Sequence, residues 1–438
     1  MVPDKETTMM LTEEIKTAKT TRRTVWKTAL TGGAGSLLEY YDYSLFATLA
    51  IFVAAALMPQ SDPTIALLAT LAVFGSGFLM RPIGALFFGW LGDRHGRRAS
   101  LLTSVIMMGA VSSLMGLIPA YSDIGLTAPV LLVLLRLVQG LCAGGEASGA
   151  ATYIAEMAPP ERRGFFGAFT PAGIALGTAA ASGVASLVST VFGDSAMAEW
   201  GWRLPFLLSL PLSIIILWIR NTLPESAKFS AKTASAGPPP IVSVLRHERT
   251  ATIKLILLAF SMSLTGYVGH VYLNTYLTTE LDYSTSEAFG TNAVITVLFA
   301  ILMPFAALVS DRIGRGRTYA YAMVGYILLT IPSFALMSPA SGWPLPLTMA
   351  ISFVPWVFAQ AIGYPLFTEL FRSTARLTGV AFGFSIGTIV GGGFGPYVAQ
   401  WLTDLTGWTL APAAYMTCAS IIGLATVLTV GRSKIDDR

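Results

Sequence analysis

The chain of 438 residues is 54% hydrophobic and only 12% charged, with mean hydropathy +0.65. A soluble globular protein carries about 25% charged residues, so a water-facing surface cannot be built from this composition and a soluble enzyme is excluded in favour of a polytopic membrane protein. The net charge of +4 points to nucleic acid only until the bases are placed along the chain.

Residues 1–27 are polar, mix Asp4, Glu6, Glu13 and Glu14 with six bases, and lack the apolar core and small-residue cleavage site of a signal peptide. They read as a cytoplasmic tail. Apolar stretches follow at 28–57, 64–90, 100–118, 130–157, 165–190, 203–221, 252–278, 287–309, 319–337, 346–369, 378–402 and 409–430. Each is long enough to cross at roughly 20 residues per span, whereas barrel strands need about ten alternating residues. Residues 222–251, with Ala236-Gly237-Pro238-Pro239-Pro240 at their centre, have the composition of a linker. The predicted fold is therefore an all-α membrane protein of twelve spans: a six-helix bundle over 28–221, a cytoplasmic linker over 222–251, a second bundle over 252–430 and a tail over 431–438. Cys142 and Cys418 lie in apolar runs and offer neither a disulfide framework nor a zinc site.

With the N-terminus inside, the segments on the inner face hold 25 of the 28 Lys and Arg residues, the exceptions being Arg81, Arg136 and Arg203. Short basic loops stay cytoplasmic. The basic balance is thus a topology signal, nucleic acid drops out, and both termini are expected in the cytoplasm. Asp93-Arg94-His95-Gly96-Arg97 recurs 218 residues later as Asp311-Arg312-Ile313-Gly314-Arg315, each time after the second helix of its half. Six plus six helices related by a parallel repeat is a transporter plan.

The segment Gly89-x-x-x-Asp93-Arg94-x-Gly96-Arg97-Arg98 resembles the loop motif of the major facilitator superfamily. Within it the chain is similar to the metabolite:proton symporter family. The residues are Glu39-Tyr40-Tyr41-Asp42, Phe74-Gly75-Ser76-Gly77-Phe78-Leu79-Met80-Arg81-Pro82-Ile83-Gly84, Arg136-Leu137-Val138-Gln139-Gly140 leading to Gly144-Gly145-Glu146, Glu199-Trp200-Gly201-Trp202-Arg203-Leu204-Pro205-Phe206, and Leu223-Pro224-Glu225-Ser226 with Phe229. The resemblance implies symport of a small metabolite such as proline, betaine, 2-oxoglutarate, citrate or shikimate with a proton, in a bacterial inner membrane. The Gly-Pro signature of antiporters in the fifth helix is poorly met, since Pro171 follows Thr170.

Charges deep in a membrane helix cost roughly 2.5–3.5 kcal/mol each on insertion scales, which makes them functional candidates. Glu39 and Asp42 share one helical face, and two carboxylates in low dielectric resist double ionisation, as a proton carrier needs. The plainer reading makes them permanent partners of Arg81 or Arg136. Arg81 lies 12 residues before Asp93, or roughly 18 Å of helix, near the midplane. The repeat places Phe299 opposite it, so the arginine is not part of the duplicated scaffold. Its fork suits a carboxylate of the substrate, or a structural ion pair with Glu39, Asp42 or Glu146. Pro82 beside it can bend the helix. By resemblance, Arg136 belongs to a motif linked to proton transfer. With Glu39, Asp42 and Glu146 ionised against Arg81 and Arg136, the first half carries one net negative charge, which one proton neutralises.

In the second half, His270 with Asn274 four residues on, and Trp356, Gln360 and Tyr364 at i, i+4, i+8, can line a cavity or simply pack. The paired loops, Gly89, Asp93, Arg94, Gly96 and Arg97 with Asp311, Arg312, Gly314 and Arg315, are expected to hold one conformation shut. Trp200, Trp202 and Arg203 read as an interfacial anchor. Tyr40, Tyr41, Tyr43, Tyr267 and Trp356 can cage a quaternary ammonium, which keeps a betaine-like solute as the alternative. No His-x-x-x-His pair, nucleophile elbow or phosphate loop is present, so neither a metal, a cofactor nor ATP hydrolysis is implied. The partners expected are a small metabolite, a proton and lipid, and a monomer is one option for an oligomeric state that the sequence leaves open.

Overall fold

The computed structural model describes residues 22–59, 62–95, 97–144, 162–222, 244, 246–371 and 376–430, and no strand occurs among them. Glu146, Gly96 and most of the expected linker lie outside the described residues. We number the spans α1 (Arg22–Thr48 continued by Ala50–Leu57), α2 (Pro63–His95), α3 (Arg97–Gly116), α4 (Thr127–Ala143), α5 (Gly164–Phe192) and α6 (Arg203–Leu207 continued by Ser209–Thr222). The second set is α7 (Arg249–Thr279), α8 (Thr285–Ile313), α9 (Arg315–Leu336), α10 (Leu345–Glu369), α11 (Thr378–Thr406) and α12 (Ala411–Leu428). Among the described residues twelve helical segments fall where the hydropathy pattern predicts spans, eight of them, or nine with the bent α1, long and apolar enough by themselves to cross a membrane. α2 and α8 run past their apolar stretches to His95 and Ile313, because charged residues that project into water can still be helical. The tail end of the expected linker is also helical around Val244, which is buried against the core.

The repeat seen in sequence is repeated in packing. In the first half α1 packs on α5, α2 on α4, and α3 on α4 and α6; in the second, α7 packs on α11, α8 on α10, and α9 on α10 and α12. The halves meet along α5–α8, α2–α11 and α1–α7. Small residues bring α2 and α4 into backbone contact. A Cβ on Gly140 would stand 2.0 Å from the Gly77 carbonyl oxygen, and one on Gly144 would stand 2.1 Å from that of Arg81. In a lipid solvent, where burial of apolar surface gives no net drive, such close backbone packing is what holds helices together. It also fixes the backbone that carries Arg81.

Three departures from regular helix matter. α1 bends by 57° where Thr48 gives way to Ala50, just beyond Asp42 and Tyr43. α7 carries a π-turn over Tyr267–Val271 and α11 one over Ile389–Gly393, and such turns redirect side chains and recur at functional sites. α2, by contrast, runs through Pro82 without a break. The expected anchor also divides: Trp200 is exposed, while Trp202 is fully buried with the Arg203 guanidinium 4.5 Å from its ring. Arg203 donates to the Gly116 and Ile118 carbonyls, so this pair closes the end of α3.

Candidate functional site

Between the halves lies a cavity with about 660 Å³ of atom-free space, mouth included. α1, α2 and α5 line one side, and α7, α8, α10 and α11 the other. Arg81, His270, Trp356, Gln360 and Tyr364, singled out from sequence, all line it. Asn274 does not. It is fully buried in the wall, where its Nδ2 donates to Ser182 Oγ across the halves (2.9 Å) and its Oδ1 accepts from Asn292 Nδ2 (2.7 Å). Asn292 Nδ2 also donates to the His270 carbonyl at 2.8 Å, so Asn274 acts on the cavity by fixing the backbone behind His270.

The polar atoms facing the cavity are poorly satisfied by the protein itself. Both ring nitrogens of His270, the Tyr267 hydroxyl and Nε of Arg81 are buried with no hydrogen-bond partner among the described residues. His270 is wedged between Phe353 and Trp356, each with its ring centre 3.9 Å away. Buried polar atoms without partners are costly, and a site that awaits a polar ligand is one arrangement that keeps them. Tyr267 and His270, both on the π-turn of α7, both line the cavity.

Arg81 is held flat. Its guanidinium carbon lies 4.3 Å from the centre of the Phe78 ring and 4.3 Å from that of Tyr43. Arg136, fully buried and behind the cavity wall, lies 4.3 Å from the same Tyr43 ring and 4.7 Å from Phe74. Asp42 is ion-paired with neither arginine among the described residues. Glu39 acts electrostatically on Arg81, and Glu146 lies outside the described residues. Arg136 instead donates to the Phe74 carbonyl (3.4 Å) and to Gln139 Oε1, while Gln139 Nε2 donates to the Asp42 carbonyl oxygen at 3.1 Å and to Ser112 Oγ at 2.8 Å. Asp42 is buried, and its Oδ1 has no partner among the described residues. Glu39, one turn earlier, is half-buried and outside the cavity lining.

The two halves touch toward the ends of α2 and α7 remote from the repeated loops. There Phe74 and Phe78 of α2 meet Tyr267 of α7 at ring separations of 6.0 and 5.3 Å. Gly392 and Gly393 leave the room, since a Cβ on either would stand within 3.0 Å of Tyr267 or Phe78. At the other end Asp311 accepts from the backbone N–H groups of Gly164 (3.1 Å) and Phe165 (3.3 Å), a carboxylate on the first turn of α5 where the helix dipole favours it. Arg315 lies 4.0 Å from Asp311 and is hydrogen-bonded to Glu369, tying α8, α9 and α10 together. Gly314, at φ +94°, makes the turn between α8 and α9. Arg312 is exposed, and Arg94 is exposed beside Trp90, 5.7 Å from its ring. Gly89 and Asp93 lie within α2, and Arg97 opens α3.

Several contributors escaped the sequence reading. Thr178, Thr296 and Phe384 line the cavity, and Gln139 and Asn292 organise its walls. Gln139 had a signal, its i, i+3 spacing from Arg136. Asn292 had none beyond being an amide within an apolar span.

Comparison with known proteins agrees with this architecture. Residues 33–385 match the Major Facilitator Superfamily. The shikimate transporter of Escherichia coli K12 is 33% identical over 416 residues, covering 93% of this chain and 95% of that one. The ectoine/proline transporter ProP of Corynebacterium glutamicum is 32% identical over 408 residues, covering 89% of this chain and 81% of its own. Among solved structures, a D-xylose-proton symporter superposes with TM-score 0.73 over 94% of this chain and 98% of that one, at 17% identity, a likeness of fold. The twelve paired spans, the repeated loops and these relatives together make the chain a member of the major facilitator superfamily, a multi-pass transporter of a bacterial inner membrane and not an enzyme.

Proposed function

We propose that the protein is a secondary active transporter that carries a small carboxylate-bearing metabolite together with a proton by alternating access. The carrying observation is the charge pattern of the cavity: Arg81 is a buried cation in its lining, no described acid shares that lining, and Asp42 is buried outside it. An anion would satisfy the guanidinium fork, while His270, Tyr267, Gln360 and Tyr364 offer polar atoms to the rest of the molecule and Trp356 a flat wall. Asp42 is the proton acceptor, with Glu39, Arg136 and Glu146 completing the charge set. The repeated loops, Gly89 to Arg97 and Asp311 to Arg315, hold the cytoplasmic end closed in part of the cycle. The relative named for shikimate supports an organic acid.

A second reading is favoured by a specific feature. Tyr40, Tyr267, Trp356, Tyr364 and Phe384 give the cavity an aromatic lining able to hold a quaternary ammonium, and several relatives are named for proline and betaine. Uptake into reconstituted vesicles separates the readings. Under an inward acid gradient, mono-, di- and tricarboxylates, shikimate, proline and glycine betaine are compared as labelled substrates. Accumulation of an acid but not of betaine is the expected result. Betaine alone selects the alternative, gradient-independent entry indicates a facilitator, and single-channel current a pore.

A further inference from the structure

A chain of hydrogen bonds runs from the cavity to the opposite half of the molecule, and every link in it points the same way. Thr296 of α8 lines the cavity, and its hydroxyl donates to Asn292 Oδ1 at 3.2 Å. Asn292 Nδ2 donates to Asn274 Oδ1 of α7 at 2.7 Å, and Asn274 Nδ2 donates to Ser182 Oγ of α5 at 2.9 Å. All four residues are at most 2% exposed. Asn292 gives its second N–H to the His270 carbonyl (2.8 Å), so both amide protons and the amide oxygen are engaged and the side chain has one orientation. That orientation sets the next one, since Asn274 must turn its oxygen to Asn292 and its nitrogen to Ser182. The last link crosses between the halves. One turn farther along α5, Ser186 Oγ donates to the Ser286 carbonyl oxygen of α8 at 2.9 Å, a second crossing at the end remote from the repeated loops. Opening that end separates α5 from α7 and α8, and the Asn274–Ser182 bond breaks with it.

We propose that Asn292 and Asn274 are positioning residues that relay a hydrogen bond donated by the substrate to Thr296 into the Asn274–Ser182 contact, so that substrate draws the halves together at the end remote from the repeated loops. This rests on the alternating-access reading above and deepens it, because it assigns the substrate a hydrogen-bond donor away from its carboxylate. The Thr296 proton is already given to Asn292, so its oxygen meets the cavity as an acceptor. A hydroxyl or N–H of the substrate that donates to this oxygen polarises it. In a head-to-tail chain of buried hydrogen bonds each link then strengthens the next, as far as Ser182. That last bond exists only while the halves touch, so strengthening it favours the closed arrangement. By reciprocity, the closed arrangement holds the substrate more tightly by the same factor. A ligand without a donor leaves the chain as it was and is not tightened by closure.

The test compares two ligands, shikimate, which carries ring hydroxyls, and cyclohex-1-ene-1-carboxylate, the same ring acid without them. Affinity is read by equilibrium titration. Closure is read as the distance between spin labels on Ser122→Cys, between α3 and α4, and Ala340→Cys, between α9 and α10, with Cys142→Ala and Cys418→Ala removing the native thiols. In the parent, shikimate should shorten that distance and the plain ring acid should bind without shortening it. Thr296→Val and Ser182→Ala, at the two ends of the chain, should each weaken shikimate by about three- to tenfold, abolish the shortening and leave the ring acid within about twofold of the parent. The double variant should lose no more than the larger single, as for two ends of one path. Thr296→Ser should recover the shikimate affinity that the valine variant loses. Additive losses, parental shikimate affinity in Ser182→Ala, or full shortening by the ring acid overturns the relay and leaves transport standing. Binding of glycine betaine but not of shikimate also overturns it, since betaine has no donor. The ligand comparison in the parent decides the matter where a variant fails to reach the membrane. An unchanged distance in the parent with shikimate that it demonstrably accumulates removes the alternating-access reading itself.

Discussion

Replacement of Arg81 discriminates between a substrate anchor and a structural ion pair, because the two roles predict opposite effects on stability. In the structure the guanidinium is buried and clamped between Phe78 and Tyr43, at 4.3 Å from each ring. Arg81→Lys keeps the charge but loses the planar fork, so one charged hydrogen bond of about 1.5–3 kcal/mol is lost and affinity should fall by roughly 10- to 150-fold. Arg81→Met removes the charge altogether. Burying a cation costs several kcal/mol, so with the anchor role the empty methionine variant should melt at the parental temperature or above it while its affinity falls by more than about 100-fold. Binding is read by equilibrium titration and stability by thermal unfolding in detergent at matched expression. A methionine variant that binds like the parent would move the anchor to Arg136 or to His270 and Gln360. One that loses several kcal/mol of stability would mean that Arg81 balances a carboxylate, and the anchor argument fails.

Asp42→Asn, a neutral mimic of the protonated acid, should abolish accumulation driven by an acid gradient while leaving counterflow measurable; full uphill transport in that variant and in Glu39→Gln would shift attention to Glu146 and His270. Asn274→Leu leaves Ser182 and Asn292 without a shared partner and should lower stability by about 1–3 kcal/mol, seen as a lower melting temperature. Gly140→Ala would place a methyl group 2.0 Å from the Gly77 carbonyl oxygen, so α2 and α4 must separate, and a marked loss of folded protein on size-exclusion chromatography is expected. For orientation, cysteines at Ser122 and Asp194 should react with an impermeant reagent from outside and one at Ser235 only after permeabilisation; labelling at Ser235 in intact cells would reverse the assignment.

Composition, hydropathy and the repeat carried most of the fold, since lipid imposes a long apolar run on every span and duplication copies helix starts with little drift. Arg97 and Arg315, 218 residues apart, each open a helix. Site legibility followed cost. Arg81, Arg136, Asp42 and His270 stood out because a polar group in an apolar run needs a reason to be there. Their partners did not follow from spacing. Helical periodicity relates Arg136 to Gln139 but cannot tell that both arginines share the Tyr43 ring, which depends on how α1, α2 and α4 close on one another. Asn274 illustrates the same limit from the other side: it shares a face with His270 by simple 3.6-residue spacing, yet the π-turn over Tyr267–Val271 shifts the register, and it points into the wall instead. Trp202 fails as an interfacial anchor for a related reason, since the local π-turn over Met197–Gly201 precedes it and it is buried against Phe206.

The coupling claim is tested most directly by letting substrate move protons. Protein is reconstituted into vesicles with a trapped pH dye, with equal pH on both sides and no membrane potential, and shikimate is then added outside. Inward movement of the acid with a proton should acidify the lumen in the parent, and the Asp42→Asn vesicles should show no change beyond that of empty ones. Uptake of labelled shikimate without any change in lumenal pH would contradict proton symport.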